Sequence, residues 1–139
     1  MKVYKTKAAK LIGTNFYEIN QIASSLYRQI KKKTKRRPYV RSAYFKKDQV
    51  FLELFWKHLF DKSNWRDRVR RLKYFPCALE LIQNNRFEPA SKENPNKPGE
   101  ILHRFAGVTK DNDLFYVHIK EDKKSGQKYF MSVFPAGDK

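Results

Sequence analysis

Cysteine, glycine and acidic residues are all scarce in this sequence. The single cysteine, Cys77, excludes an intramolecular disulfide framework and a cysteine-based structural zinc site. Five glycines leave no glycine-rich phosphate loop, and neither HExxH nor GxSxG occurs. The 14 Asp and Glu form no cluster that would hold magnesium, which disfavours a two-metal nuclease. No metal or other cofactor is therefore expected. No apolar run approaches the ~18 residues of a membrane span, and the N-terminus lacks the apolar stretch of a secretory leader. The expectation is a cytoplasmic chain with no membrane span.

Positive charge and aromatic side chains are what the sequence has in excess. Across 139 residues, 31 Lys and Arg give a net charge of +17, and aromatics reach 15%. That aromatic content is well above what a disordered polycation carries. Residues 1–75 hold 21 Lys and Arg against 5 Asp and Glu, whereas residues 76–139 hold 10 against 9. Solubility needs only modest net charge, so a surplus confined to one half marks a surface. Short charge runs are usually solvated surface. Here, however, the uncompensated cations repel one another and cost stability, which points to a polyanionic partner, most simply nucleic acid. The candidate binding residues are Lys31, Lys32, Lys33, Lys35, Arg36 and Arg37 in one tract and Arg66 and Arg70 in another. An anionic membrane is a poorer fit, because residues 31–37 carry no apolar face.

Hydrophobic spacing organises the chain. Residues 1–13 read as a basic arm. Asn15 can cap a helix with Glu18 in capping-box position, and Phe16, Ile19, Ile22, Ala23, Leu26 and Ile30 are then expected to share one face. This helix runs into the lysine tract and stops before Pro38. Residues 39–60 are too densely apolar for either period to prevail. The expectation there is a short extended stretch near 43–45, then a buried helix ending near Phe60, with Phe51, Phe55, Trp56 and Phe60 in the core. A third helix starts after Asn64, with Trp65, Val69 and Leu72 inward. Pro76 either breaks it or opens the next. Residues 84–100, with three prolines and four asparagines, read as a loop. Period-two alternation over 101–107, 114–120 and 128–134 predicts three consecutive antiparallel strands. The predicted fold class is α+β. One domain over 14–139 has N-terminal helices (14–83), the loop, and a small C-terminal antiparallel β-meander (101–135) packed beneath them.

Residues able to move protons and stabilise phosphate gather on the meander. Phe115, Val117 and Ile119 form one face of the second strand, so Tyr116, His118 and Lys120 occupy the other. The first strand carries His103 and Arg104, and the third carries Tyr129 and Ser132. Cleavage of RNA through its 2′-hydroxyl needs a base for that hydroxyl, an acid for the leaving 5′-oxygen, and cations for the crowded phosphate. Histidine is the natural proton carrier near neutral pH. Alternation puts His103 and Arg104 on opposite faces. Arg104 is expected beside His118, because its neighbours Leu102 and Ala106 are less bulky than Ile101 and Phe105. His103 is the reserve partner. Tyr129 and Ser132 are undecided on the same test. A polar face is also what any half-exposed sheet displays.

The run LHRFAGVTKDNDLFYVHIKEDKKSGQKYFMSVFP, with its final strand ending in Phe134 and Pro135, resembles the closing strands of the barnase–EndoU–colicin–RelE-like nucleases, especially their phage and mobile-element branches. The resemblance covers about residues 86–135. It implies a metal-independent ribonuclease, a toxin or effector with an acidic neutralising protein as partner. By position it implies Arg104 on the first strand, His118 and Lys120 on the second, and Ser132 or Tyr129 on the last. The competing expectations are a non-catalytic nucleic-acid-binding module and a protein that docks an acidic partner.

Overall fold

Side-chain caps set where the helices begin. A computed structural model describes residues 2–13, 15–61 and 64–137. Helix α1 (Phe16–Thr34) starts where the Asn15 side chain accepts the Tyr17 N–H. Two further helices follow, α2 (Glu53–Asp61) and α3 (Trp65–Leu72), the latter capped in the same way by Asn64 on the Arg66 N–H. In α4 (Phe75–Asn84), Pro76 lies in the first turn, where a missing N–H costs nothing, so it opens this helix.

The expected small antiparallel meander is corrected by the sheet. Among the described residues seven strands form one mixed sheet: β1 (Tyr4–Lys5), β2 (Tyr39–Arg41), β3 (Gln49–Phe51), β4 (Ala90–Glu93), β5 (Glu100–Val108), β6 (Leu114–Asp122) and β7 (Lys128–Pro135). Their order is β1-β5-β6-β7-β3-β2, with β4 also paired to β5. The predicted antiparallel trio is only the centre, because β1 joins β5 and β3 joins β7 in parallel. The extra strands escaped the alternation test for physical reasons. β1 has two residues, β2 and β3 three each, and all four residues of β4 are exposed, so none shows a periodic apolar face. Residues 43–45, expected to be extended, lie instead in the turn between β2 and β3.

One face of this sheet is covered by helices. Phe55 of α2 stacks on Phe130 of β7 at 4.6 Å and on Phe75 of α4 at 5.4 Å. Phe115, Val117 and Ile119 are buried on the same face. Gly107 lets α4 approach β5, since a Cβ there would sit 2.6 Å from the Phe115 ring and 2.7 Å from Leu81. Cys77 is buried in this core, and burial pushes its thiol up to about 11. Phe60, expected in the core, is 51% exposed. The basic arm is fastened to the body: Tyr4 donates to Glu80 at 2.9 Å, and the Lys7 and Ala8 N–H groups donate to the same carboxylate. Among the described residues no helix is long and apolar enough to cross a membrane.

Candidate functional site

The sheet face opposite buried Phe115, Val117 and Ile119 collects polar residues of the three central strands. Strand alternation buries Phe115, Val117 and Ile119, so Tyr116, His118 and Lys120 stand on this outer face. Across the strands, Arg104 opposes His118 and His118 opposes Ser132. Leu102, Lys120 and Tyr129 form the next row in the same way, and Ala106, Tyr116 and Phe134 the row beyond.

A β-bulge brings Tyr129 and Ser132 to the same face. Three residues apart, regular alternation would separate them. The register shifts between His118 and Ile119, which oppose Ser132 and Phe130, so Met131 is the extra residue. Bulges re-aim side chains in this manner and occur often beside functional sites. The sequence alone left a choice between Tyr129 and Ser132; the bulge makes them neighbours.

At the centre of the face the Arg104 Nε–H donates to His118 Nε2 at 3.0 Å. That nitrogen therefore holds the lone pair, and the proton of the neutral ring sits on Nδ1. Phe134 packs edge-on to the imidazole with centroids 4.9 Å apart. Burial, then the charges of Arg104, Arg71 and Lys92, hold His118 far below the usual histidine range, at about 4. It is neutral at physiological pH. The Arg104 guanidinium also lies over the Tyr116 ring, 5.0 Å from its centroid, and Arg71 of α3 lies over Phe134 at 5.5 Å. The Ser132 hydroxyl has no hydrogen-bond partner among the described residues. A cleft of about 310 Å³ opens here, lined by Lys92, Leu102, Arg104, His118 and Met131 among others.

The adjoining row is more fully paired. Lys120 Nζ lies 3.4 Å from Glu100 Oε2 and 5.2 Å from the centroid of the Tyr129 ring. The Tyr129 hydroxyl donates to Gln127 at 2.6 Å. The Glu100 carboxyl is lowered by hydrogen bonds from Asn94 and Lys97 and by the Lys120 charge, which together outweigh an opposing desolvation that is the largest single influence on it.

His103 does not join this group. It points to the opposite face, 7% exposed, with Phe45 packed edge-on at 5.0 Å. Its Nε2 donates to Glu121 at 2.8 Å and its Nδ1 lies 2.6 Å from the Ser91 hydroxyl. Glu121 lies 3.8 Å from Lys128, which pairs with Asp48 at 2.8 Å. Both ring nitrogens are thus occupied in a network that ties β4, β5, β6 and β7 to the β2–β3 turn.

The predicted binding residues separate into distinct environments. Lys31, Lys32, Lys33, Lys35 and Arg36 are exposed at and just beyond the end of α1. Arg37 is stacked 3.9 Å over Phe51 and paired with Glu53, with its side chain 42% exposed. Arg66 is exposed and lies over Trp65 at 5.6 Å, while Arg70 pairs with Asp67 at 2.9 Å. Sequence reading missed Arg71 and Lys92 as neighbours of His118. Arg71 was visible as part of the arginine-rich helix, but its reach to the sheet depends on tertiary packing. Among the described residues no group of three or more His, Cys, Asp or Glu could hold a metal ion. Comparison with known protein families, with curated proteins and with solved structures finds no match to this chain.

Proposed function

We propose that this chain is a metal-independent ribonuclease, a toxin or effector acting in the cytoplasm, that cleaves RNA through attack of the 2′-hydroxyl on the adjacent phosphodiester. The observation that carries this reading is the Arg104–His118 couple: an imidazole kept neutral by burial and by cations, bonded through its lone pair to a guanidinium, with an unpartnered hydroxyl opposite. The similarity of residues 86–135 to the barnase–EndoU–colicin–RelE-like nucleases points the same way.

The chemistry follows from those contacts. A phosphodiester entering the cleft draws Arg104, Arg71 and Lys92 to its oxygens. Once Arg104 turns to the phosphate, the His118 lone pair is released, and the negative charge offsets the cations that hold its pKa down. His118 Nε2 then takes the 2′-hydroxyl proton as the 2′-oxygen bonds to phosphorus. The P–O5′ bond breaks, and the departing oxygen takes a proton from Tyr129 or Lys120, which face each other across β6 and β7. Arg104 and Arg71 stabilise the charge that builds on the phosphorane, and Ser132 orients it by a hydrogen bond. The exposed lysines of α1 and the arginines of α3 hold the RNA backbone, and the same basic surface fits an acidic neutralising protein.

The test is incubation with tRNA and total RNA in excess EDTA. The wild type should yield fragments bearing 2′,3′-cyclic phosphate and 5′-hydroxyl ends, and His118→Ala none. RNA that stays intact yet remains bound at low salt would overturn cleavage and leave a non-catalytic binding module.

A further inference from the structure

A second cavity, of about 800 Å³, lies between the end of α1, strand β2 with its following turn, and the end of α4. That size is in the range of ligand sites, roughly 300–1,000 Å³. Lys33, Arg41, Lys46, Lys47 and Arg86 line it, and no acidic residue does. Among the described residues no carboxylate forms an ion pair with any of these five cations.

The backbone beneath two of these cations is strained. Lys46 and Lys47 are consecutive residues at φ 55° and φ 69°, a region where glycine or asparagine would sit with less cost. The turn is nonetheless pinned: the Lys47 N–H donates to Ser42 O at 2.7 Å, the Phe45 N–H to the Ser42 hydroxyl at 3.0 Å, and Arg41 to Lys47 O at 3.0 Å. Fold stability does not account for lysine at these positions, whereas presenting two charges from a fixed turn does.

A continuous path joins this cavity to the His118 face. Tyr39 lines the cavity and opposes Phe51, Phe51 opposes Tyr129, and Tyr129 opposes Lys120. Neighbouring rings are 6.2 Å and 6.0 Å apart. Cations lie over them: Arg41 on Tyr39 at 5.4 Å, Arg37 on Phe51 at 3.9 Å and Lys120 on Tyr129 at 5.2 Å. Glu53 and Glu100 hold Arg37 and Lys120 in these positions. Planar rings and guanidinium groups spaced along a basic path suit unpaired bases, which stack, and their phosphates, which pair. From β6 to β2 the path crosses three strand spacings, about 14 Å.

We infer that single-stranded RNA flanking the scissile bond runs from His118 over Tyr129, Arg37 and Tyr39 into the Lys46–Lys47 cavity. This rests on the ribonuclease reading and specifies its substrate class as RNA with an extended unpaired segment. The test uses His118→Ala protein, so that binding is read without cleavage, and RNAs of about 4 and about 12 nucleotides, within the range of single-strand sites. The longer RNA should bind more tightly and with a steeper salt dependence. The double variant Lys46→Gly/Lys47→Gly removes both charges and relieves the backbone, so its melting temperature should hold or rise. Its affinity for the longer RNA should fall by about tenfold and its salt slope by about 1.4, with the shorter RNA little affected. Equal affinity for both lengths, equal loss on both, or displacement by polyglutamate as effective as by RNA would each overturn the path. Failure of the wild type to cut the longer RNA while His118→Ala binds it as expected would instead overturn the ribonuclease reading and leave the path standing.

Discussion

His103 and His118 belong to adjacent strands of one sheet, yet the two faces treat them in opposite ways. On the inner face His103 has both nitrogens occupied, by Ser91 and Glu121, within a chain of ion pairs. On the outer face the only charges beside His118 are cations, and its single hydrogen bond comes from Arg104. A histidine whose partners are complete is held in place by the fold and holds the fold in turn. A histidine surrounded by cations is kept neutral and is poised to gain a proton when an anion arrives. Identical side chains are assigned different work by their neighbours.

Exchanging readouts between these two residues should give the largest effect. In the proposed mechanism His118→Ala removes the base and lowers the cleavage rate about 10²–10⁴-fold, with the fold retained. His103→Ala should do the reverse, leaving Ser91 and Glu121 short of partners and costing about 1–3 kcal/mol of stability while the chemistry survives. Thermal melts and cleavage rates on both variants check the pair. Equal rate losses in the two would erase the distinction.

Arg104→Gln comes next. It removes a donor to the developing phosphorane charge, so turnover should fall about 10²–10³-fold. It also removes a cation beside His118, so the imidazole pKa should move up toward 6.5. A rate loss without that upward shift would detach Arg104 from His118.

The pH dependence follows from the same shift. Because kcat/KM reports the free enzyme, its acid limb should fall near pH 4, not near 6.5. Between about pH 6.5 and 4 the unfolded chain binds a proton at this position that the folded chain does not, so stability falls on acidification through that window and levels off below it. His118→Gln should flatten this part of a urea-melt series. A smaller effect is expected from Ser132→Ala, which loses one hydrogen bond worth about 1 kcal/mol, roughly fivefold in rate.

Local rules made much of this site legible before the fold was known. Asn15 and Asn64 announced their helices, because a short polar side chain before an apolar stripe has a specific job to do. The buried trio of Phe115, Val117 and Ile119 announced which side His118 would take, and the small neighbours of Arg104 announced its partner. What escaped depends on distant parts of the chain. The bulge at Met131 leaves no compositional trace in KYFMSVFP, and it alone unites Tyr129 with Ser132. The breadth of the sheet was hidden because β1, β2, β3 and β4 are too short or too exposed to display alternation. Arg71 and Lys92 reach His118 only through packing of α3 and β4 around the central strands, so the cause of its low pKa was out of view as well.

The most direct measurement is an NMR titration of both histidine rings, free and with a 2′-deoxy analogue of the RNA that cannot be cut. His118 should show the Nδ1–H tautomer, a pKa near 4 in the free protein, and a clear rise when the analogue binds, with His103 insensitive to it. A His118 that titrates near 6.5 in the free protein, or that ignores the bound analogue, would contradict its role as the base.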